Sequence, residues 1–400
     1  MPINPKRIFR DIETIAGFNE VAPATGYSRP TFSKSWRQAR DYIIDQAEAA
    51  GCKIRIDAFG NVHARPKAID WAGHVWLSGS HVDSVPTGGK FDGVVGVVCP
   101  LEVLRVAHEA GQTIPLELVI FAEEEGTTFG LGMIGSRLWT GDATADSIQA
   151  FQNSNGENYL RAGESHGVRP DAFLVDRLNP SHHRGLIEIH IEQGPALWEQ
   201  QTPIAVVAAI SGRQQYTVEL KGVPNHAGST PMSYRRDALT AAAEIILDLE
   251  RMATELSDHT VATVGKIECL PNAINVIPGL VRFTVDLRSP SADDLFDGHN
   301  LLDQMIRDSS AKEASFTKTE DQPVVEMNPD LVARLAKIAG EKVPATVSGA
   351  LHDAAILAPH IPTAMLFIAS RDGISHNPAE FSRIEDIAIA AQVLGRFVQD

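Results

Sequence analysis

The chain has 400 residues, of which 44% are hydrophobic and 22% charged, enough to bury a large core and to divide into two domains. Its formal charge of −16 comes without a long Lys/Arg run, which argues against a nucleic-acid partner. Cys52, Cys99 and Cys269 show no CxxC spacing, residues 1–18 lack a signal-peptide core, and no apolar stretch reaches the roughly 18 residues of a membrane span, so a reduced, cytoplasmic protein with no membrane partner is expected.

Residues 33–50 have the spacing of an amphipathic helix ended by Gly51, and residues 53–58 alternate as a strand. Val75-Trp76-Leu77 reads as a short buried strand that delivers His81 at its end. Residues 94–110 are apolar and helical, stopped by Gly111; residues 116–121 form the next strand, with Glu123-Glu124-Glu125 at its C-terminal end; residues 186–191 form another and carry His190. Strands alternating with helices predict an α/β layer structure with a mixed, mostly parallel sheet flanked by helices, whose ligands gather at the carboxyl ends of the strands. Residues 141–183 are polar and loop-rich and receive no placement. Near Ser211-Gly212 the pattern changes to strands at 216–221, 261–267 and 281–287 with one helix at 235–256. This predicts a smaller α+β domain, residues 212–326, inserted into a catalytic domain of residues 1–211 and 327–400. The first pattern resumes with a helix at 331–339, a strand at 364–368 and a final helix at 384–398.

Five patches carry candidate chemistry. At His81-Val82-Asp83, residues i and i+2 of an extended segment point the same way, so the Asp83 carboxylate is expected to orient the imidazole and free its other nitrogen for a metal. Asp92, in a Gly-rich turn, could bridge two ions or cap the helix beginning at Gly93. Three adjacent glutamates after a buried strand are costly unless cations offset them, and a metal site needs one as ligand and another as general base. His190 shares one strand face with Glu188 and Glu192, a face that ordinarily meets solvent, and His376 sits in a loop past an apolar strand. Alone, the histidine and Asp92 patches read as ordinary surface or turn features, whereas the glutamate triplet is harder to explain as an exposed acidic loop. Together, His81, Asp92, Glu125, His190 and His376 supply the mixed donors of a dinuclear site that activates water and polarises a carbonyl, leaving Glu124 as base. One division gives His81 and His190 to one ion and Glu125 and His376 to the other; the sequence leaves that pairing open.

These motifs, with His226-Ala227-Gly228-Ser229-Thr230-Pro231-Met232, Asn275-Val276-Ile277-Pro278, Val285-Asp286-Leu287-Arg288 and Gly349-Ala350-Leu351-His352-Asp353-Ala354, run in order along the chain. The sequence resembles the dinuclear-metal aminoacylase and carboxypeptidase superfamily, and within it the hydantoinase/carbamoylase branch of N-carbamoyl-L-amino acid hydrolases, allantoate amidohydrolases and β-ureidopropionases. The resemblance implies two divalent ions per subunit, zinc being the first choice and manganese, cobalt or nickel compatible with the same donors. It implies Asp92 as the bridge, Glu124 as the base, Asp83 behind His81, and His226 reaching the substrate carbonyl, often from the second chain of a homodimer formed by the inserted dimerisation or lid domain. Gln193, Asn275, Arg288, Gly349 and Ala350 would contact a small N-carbamoyl or ureido acid, with Arg288 clamping its carboxylate. The expected reaction is hydrolysis of a linear ureido C–N bond with release of ammonia and CO2. An exopeptidase or N-acyl amino acid deacylase is the alternative, and a non-catalytic metal-binding scaffold is the alternative of a different kind. Two positions depart from the branch: Thr128 stands where Glu-Glu-Gly-x-Arg-Phe has arginine, and Leu351 is bulkier than usual.

Overall fold

Aliphatic and β-branched runs bounded by glycine turns form the strands of this computed structural model, which describes residues 2–22, 25–340 and 342–399. In chain order they are β1 (Cys52–Ile56), β2 (Val62–Pro66), β3 (Val75–His81), β4 (Leu116–Phe121), β5 (His183–Ile191), β6 (Ile204–Ile210) and β7 (Gly212–Lys221). They continue as β8 (Val261–Thr263), β9 (Ile267–Leu270), β10 (Leu280–Ser289), β11 (Glu313–Gln322), β12 (Val325–Glu326), β13 (Ala345–Ser348) and β14 (Thr363–Ile368). The chain divides into one unit of Met1–Ala208, Glu326–Thr346 and Leu351–Asp400 and a second of Ala209–Val325 with Val347–Ala350.

The larger sheet runs β1-β2-β4-β3-β5-β14-β6-β12, with β13 on β6. Its centre is parallel, β4 with β3, β3 with β5 and β5 with β14, while β1, β2 and β6 join antiparallel. This is the expected mixed, mostly parallel α/β sheet. Strands β3, β4 and β14 are buried along their whole length, because helices cover both faces of such a sheet. Burial also overturns the expectation for β5: Glu188 and His190 point into the protein, not to solvent, at 0% and 1% exposure. The helix Val94–Glu109 is buried on nearly every side, as its largely apolar sequence requires, and even Glu102 and Arg105 are buried in it. Its first turn is entered through Gly93 in the left-handed region (φ +66°), where a Cβ would also be driven into the His81 ring. Asp92 gives this helix no side-chain cap, so the capping role considered for it is not realised.

Sequence periodicity missed a buried ionic cluster on the antiparallel side of the sheet. Glu117 of β4 receives the Arg65 guanidinium on one oxygen and lies 2.8 Å from His63 Nδ1 on the other, while His63 Nε2 is 3.2 Å from Asp57. Burial pushes the Glu117 carboxyl up, but His63 and Arg65 outweigh it and hold the group at about 2. Its stabilisation is therefore complete above the ordinary value of 4.5 and fades as pH falls toward 2. Glu117→Ala, which strands a buried cation, should cost about 3–5 kcal/mol by urea unfolding at neutral pH and less in acid. A constant penalty across that range would refute the pairing.

In the second unit the sheet runs β11-β7-β10-β8, with β9 also on β10. Strands β7 and β10 alternate buried and half-exposed residues, the period of a sheet with one covered face. That face presents Tyr216, Val218, Phe283 and Val285 to Ala241, Ile245 and Leu249 of the helix Ala238–Leu256 and to Leu295 and Leu302 of the helix Ala292–Arg307. The first helix starts at Ala238, not 235, because Asp237 caps it by accepting from Leu239 and Thr240 amides. The strand expected at 261–267 is two, β8 and β9, both paired to β10 and interrupted around Gly265. Residues 141–183 contain only short helical turns, among them Tyr159–Gly163, before β5 begins.

Candidate metal centre

Parallel register sets His81 beside Phe121 across β3 and β4, and His190 beside Phe367 across β5 and β14. Because β4, β3, β5 and β14 are neighbours, the loops leaving their C-terminal ends converge. The loop after β4 carries Glu123-Glu124-Glu125, the turn after β3 carries Asp92, and the loop after β14 carries His376.

Asp92 lies at the centre. Its Oδ1 is 3.1 Å from His190 Nε2 and 3.8 Å from His81 Nε2, whereas its Oδ2 is 3.2 Å from His376 Nε2. Glu125 Oε2 is 3.6 Å from the same His376 nitrogen. Two donor groups result, His81 with Asp92 and His190, and Asp92 with Glu125 and His376, each with its ligand atoms within 4.8 Å of one another. Glu125 Oε1 is buried without a hydrogen-bond donor among the described residues, as a cation-binding oxygen would be. Imidazole and carboxylate donors in this arrangement fit divalent cations.

The imidazoles are oriented by main-chain carbonyls. His81 Nδ1 is 3.0 Å from the Asp83 carbonyl oxygen and His190 Nδ1 is 3.0 Å from that of Ile191, so both rings keep Nε2 as the ligand nitrogen. This corrects the expectation for Asp83. Its carboxylate stands 3.8 Å from His81 Nδ1 and instead accepts from the Glu125 amide at 3.1 Å, tying the strand end that bears His81 to the glutamate loop.

Electrostatics follow from burial and crowding of like charge. Glu124, whose Oε2 is 3.6 Å from His81 Nε2, is held well above the ordinary carboxyl range by burial and by the charges of Glu125, Asp353, Asp83 and Asp92. Burial, with Asp92 and Asp83 nearby, does the same to Glu125. Burial would raise Asp92 too, but hydrogen bonds from His190 and His376 hold it well below. Burial lowers the His190 imidazole, yet Asp92 outweighs it and lifts the group to about 9. Buried carboxylates in excess of buried cations are what bound metal ions would offset.

Gln193 sits in the same cluster. Its Nε2 donates to Asp92 Oδ2 at 3.0 Å and to Ser375 Oγ at 3.2 Å. Glu123, Gln193 and His376 all adopt left-handed backbone (φ 58°, 58° and 53°), a cost of about 1–3 kcal/mol each that functional loops characteristically carry. Glu123 closes its own loop by accepting from the Thr128 and Phe129 amides at 3.0 and 2.9 Å. The Thr128 hydroxyl accepts from the Thr31 amide at 3.0 Å. Sequence reasoning missed Glu380, Asp353 and the inward role of Glu188, which accepts from Ser80 Oγ and the Ala354 amide. Only their places in the His376 and His352 motifs could have signalled the first two.

The remaining candidates belong to the second unit. His226 pairs through its backbone with Val276, and the Ala227 amide donates to the Asn275 carbonyl at 3.0 Å, which brings His226 and Asn275 together. His226 Nδ1 accepts from the Gly228 and Ser229 amides at 3.0 and 3.2 Å, so the ring proton resides on Nε2. Arg288 donates from Nε to Asp286 at 2.7 Å and from Nη1 to the Gly349 carbonyl at 2.9 Å. Ala350 follows directly, its amide donating to Ser348 Oγ at 3.1 Å.

The mostly parallel sheet thus bears candidate donor groups at the carboxyl ends of its strands. The chain belongs to the peptidase family M20/M25/M40, whose description matches residues 77–400. It is 36% identical over 388 residues to the N-carbamoyl-L-amino acid amidohydrolase of Geobacillus stearothermophilus and 37% identical over 396 residues to the allantoate amidohydrolase of Escherichia coli K12. Each alignment covers 93% of this chain and 92% of the relative. The crystal structure of a hydantoinase/carbamoylase family amidase from Burkholderia multivorans superposes with a TM-score of 0.90 at 32% identity, over 99% of this chain and 97% of that one. The protein is accordingly an amidohydrolase of the hydantoinase/carbamoylase type, acting on non-peptide C–N bonds in linear amides. No helix among the described residues is long and apolar enough to cross a membrane.

Proposed function

We propose that this enzyme hydrolyses the ureido C–N bond of an N-carbamoyl-L-amino acid or an allantoate-like acid, using two divalent ions, zinc first, per subunit. The observation that carries the reading is the split of one carboxylate between two donor sets, Asp92 Oδ1 facing His81 and His190 and Oδ2 facing His376 beside Glu125. Those five residues would hold the ions, which when bound supply Lewis acidity toward the substrate carbonyl and acidify water. Glu124 takes the proton of the attacking water and returns it to the leaving nitrogen as the C–N bond breaks. Asp83, by fixing the strand end and the glutamate loop together, keeps Glu124 beside His81. His226 donates from Nε2 to the developing oxyanion, a role its tautomer suits, with two chains paired through the second unit. Gln193, Asn275, Arg288, Gly349 and Ala350 orient the substrate's polar tail.

Ammonia release from N-carbamoyl-L-amino acids, N-carbamoyl-β-alanine and allantoate, by metal-stripped protein with and without Zn or Mn, tests this reading. Metal-dependent ammonia from one class supports it; hydrolysis of dipeptides or N-acyl amino acids alone would replace it with the exopeptidase or deacylase reading. Arg288 is oriented on two sides by Asp286 and Gly349 for a bidentate contact that a lysine cannot reproduce. Arg288→Lys should raise KM by about 10- to 100-fold, the worth of a charge-assisted hydrogen bond, with kcat little altered. An unchanged KM in steady-state assays would remove Arg288 from the substrate site.

A further inference from the structure

We infer that Glu380 is a positioning residue that sets the spacing between Asp92 and His376, and so tunes one of the two donor sets selectively. Glu380 is 4% exposed and lies four residues beyond His376. Its Oε1 accepts from the backbone amides of Phe91 and Asp92 at 2.9 and 3.1 Å. Its Oε2 accepts from the Ser375 hydroxyl at 3.0 Å, and that hydroxyl is 3.3 Å from Asp92 Oδ2. One buried carboxylate therefore spans two loops separated by more than 280 positions in the chain, holding the backbone of Asp92 with one oxygen and the residue next to His376 with the other.

The two donor sets do not depend on this link equally. His81 and His190 stand at the ends of strands of the parallel sheet, where pairing of β3 with β4 locates the first and pairing of β5 with β14 the second. His376 stands in a half-exposed loop with left-handed backbone, outside every strand among the described residues. Ser375 and Glu380 tie this loop to Asp92, beside Gln193, whose Nε2 also reaches both Asp92 Oδ2 and Ser375 Oγ. Gly89 shows how closely the carboxylate is enclosed: a Cβ there would overlap the Glu380 carboxyl group. The glycine-rich turn thus leaves room for Glu380 as well as bending the chain at Asp92.

The inference rests on the dinuclear reading above, and the experiment separates the two. Full-length protein stripped of metal is titrated with Zn2+ against a chromophoric chelator, with bound zinc counted by elemental analysis. Wild type should bind two ions; fewer than two would overturn the dinuclear reading itself. Glu380→Ala should weaken one ion by about 10- to 100-fold, the usual consequence of losing a residue that orients a ligand, and leave the other essentially unchanged. Glu380→Gln should recover most of that loss, since its carbonyl oxygen can accept from both amides while Ser375 turns its hydroxyl to accept from the new amide. Gly89→Ala, which displaces the carboxylate without deleting it, should resemble Glu380→Ala. If Glu380→Ala fails to fold, Ser375→Ala, which removes the hydroxyl that joins Glu380 to the His376 loop together with its contacts to Asp92 and Gln193, should show the same one-ion weakening. Two ions bound as tightly as in wild type by these variants, or both ions weakened alike, would overturn the inference while the dinuclear reading stood.

Discussion

Glu124→Gln should bind its metal ions as wild type does and lose about 100- to 10,000-fold in kcat, the range general-base catalysis supplies. Glutamine preserves the volume and the acceptor oxygen of a largely buried side chain, so the donor geometry around His81 and Asp92 is retained. What it removes is the ability to take a proton and give it back. Burial and four neighbouring carboxylates push the Glu124 carboxyl up, and bound dications would act in the opposite direction, favouring its ionised form. Glu124 is thus placed to accept a proton and then release it within one turnover. Rates measured at saturating substrate, with metal content counted on the same sample, check this. A Gln variant with full metal and more than a small residue of activity would remove Glu124 as the base.

Asp92→Ala should release both ions and abolish turnover, because it deletes the one side chain common to both donor sets. The loss of affinity should exceed the about 10- to 100-fold typical of removing a residue that only orients a ligand. It also deletes the partner that lifts His190 to about 9. In wild type, metal must displace the proton that Asp92 stabilises on His190, so apparent affinity should climb as pH rises toward about 9, with proton release on metal addition. Calorimetry in buffers of different ionisation enthalpy measures that release. Two ions still tightly bound by the Ala variant would show that Asp92 is not shared.

Much of the fold is legible in the sequence. The helix at 94–110 and the strands at 116–121 and 364–368 are predominantly apolar runs of helix and strand length, and runs of that kind declare burial through composition. Less regular segments escaped. The interruption around Gly265 separates β8 and β9 only because both must pair with the continuous β10, a constraint that lies elsewhere in the chain. The polar alternation of β5 suggested a solvated face, and the sheet buried it between β3 and β14.

For the candidate site, residue chemistry and position at strand ends were written in the sequence: His81, Asp92, the glutamate triplet, His190 and His376 could be named from local pattern and motif. Only the tertiary structure decided how they meet. Strand order β4-β3-β5-β14 brings together loops that lie hundreds of residues apart, and it divides the two oxygens of Asp92 between two donor groups. It also made the Asp83 carbonyl, not its carboxylate, the partner of His81, and enlisted Glu380 as a brace. Local periodicity reports on the few residues that share a turn or a pleat, whereas a hydrogen bond across the sheet depends on pairing and register that no single segment contains.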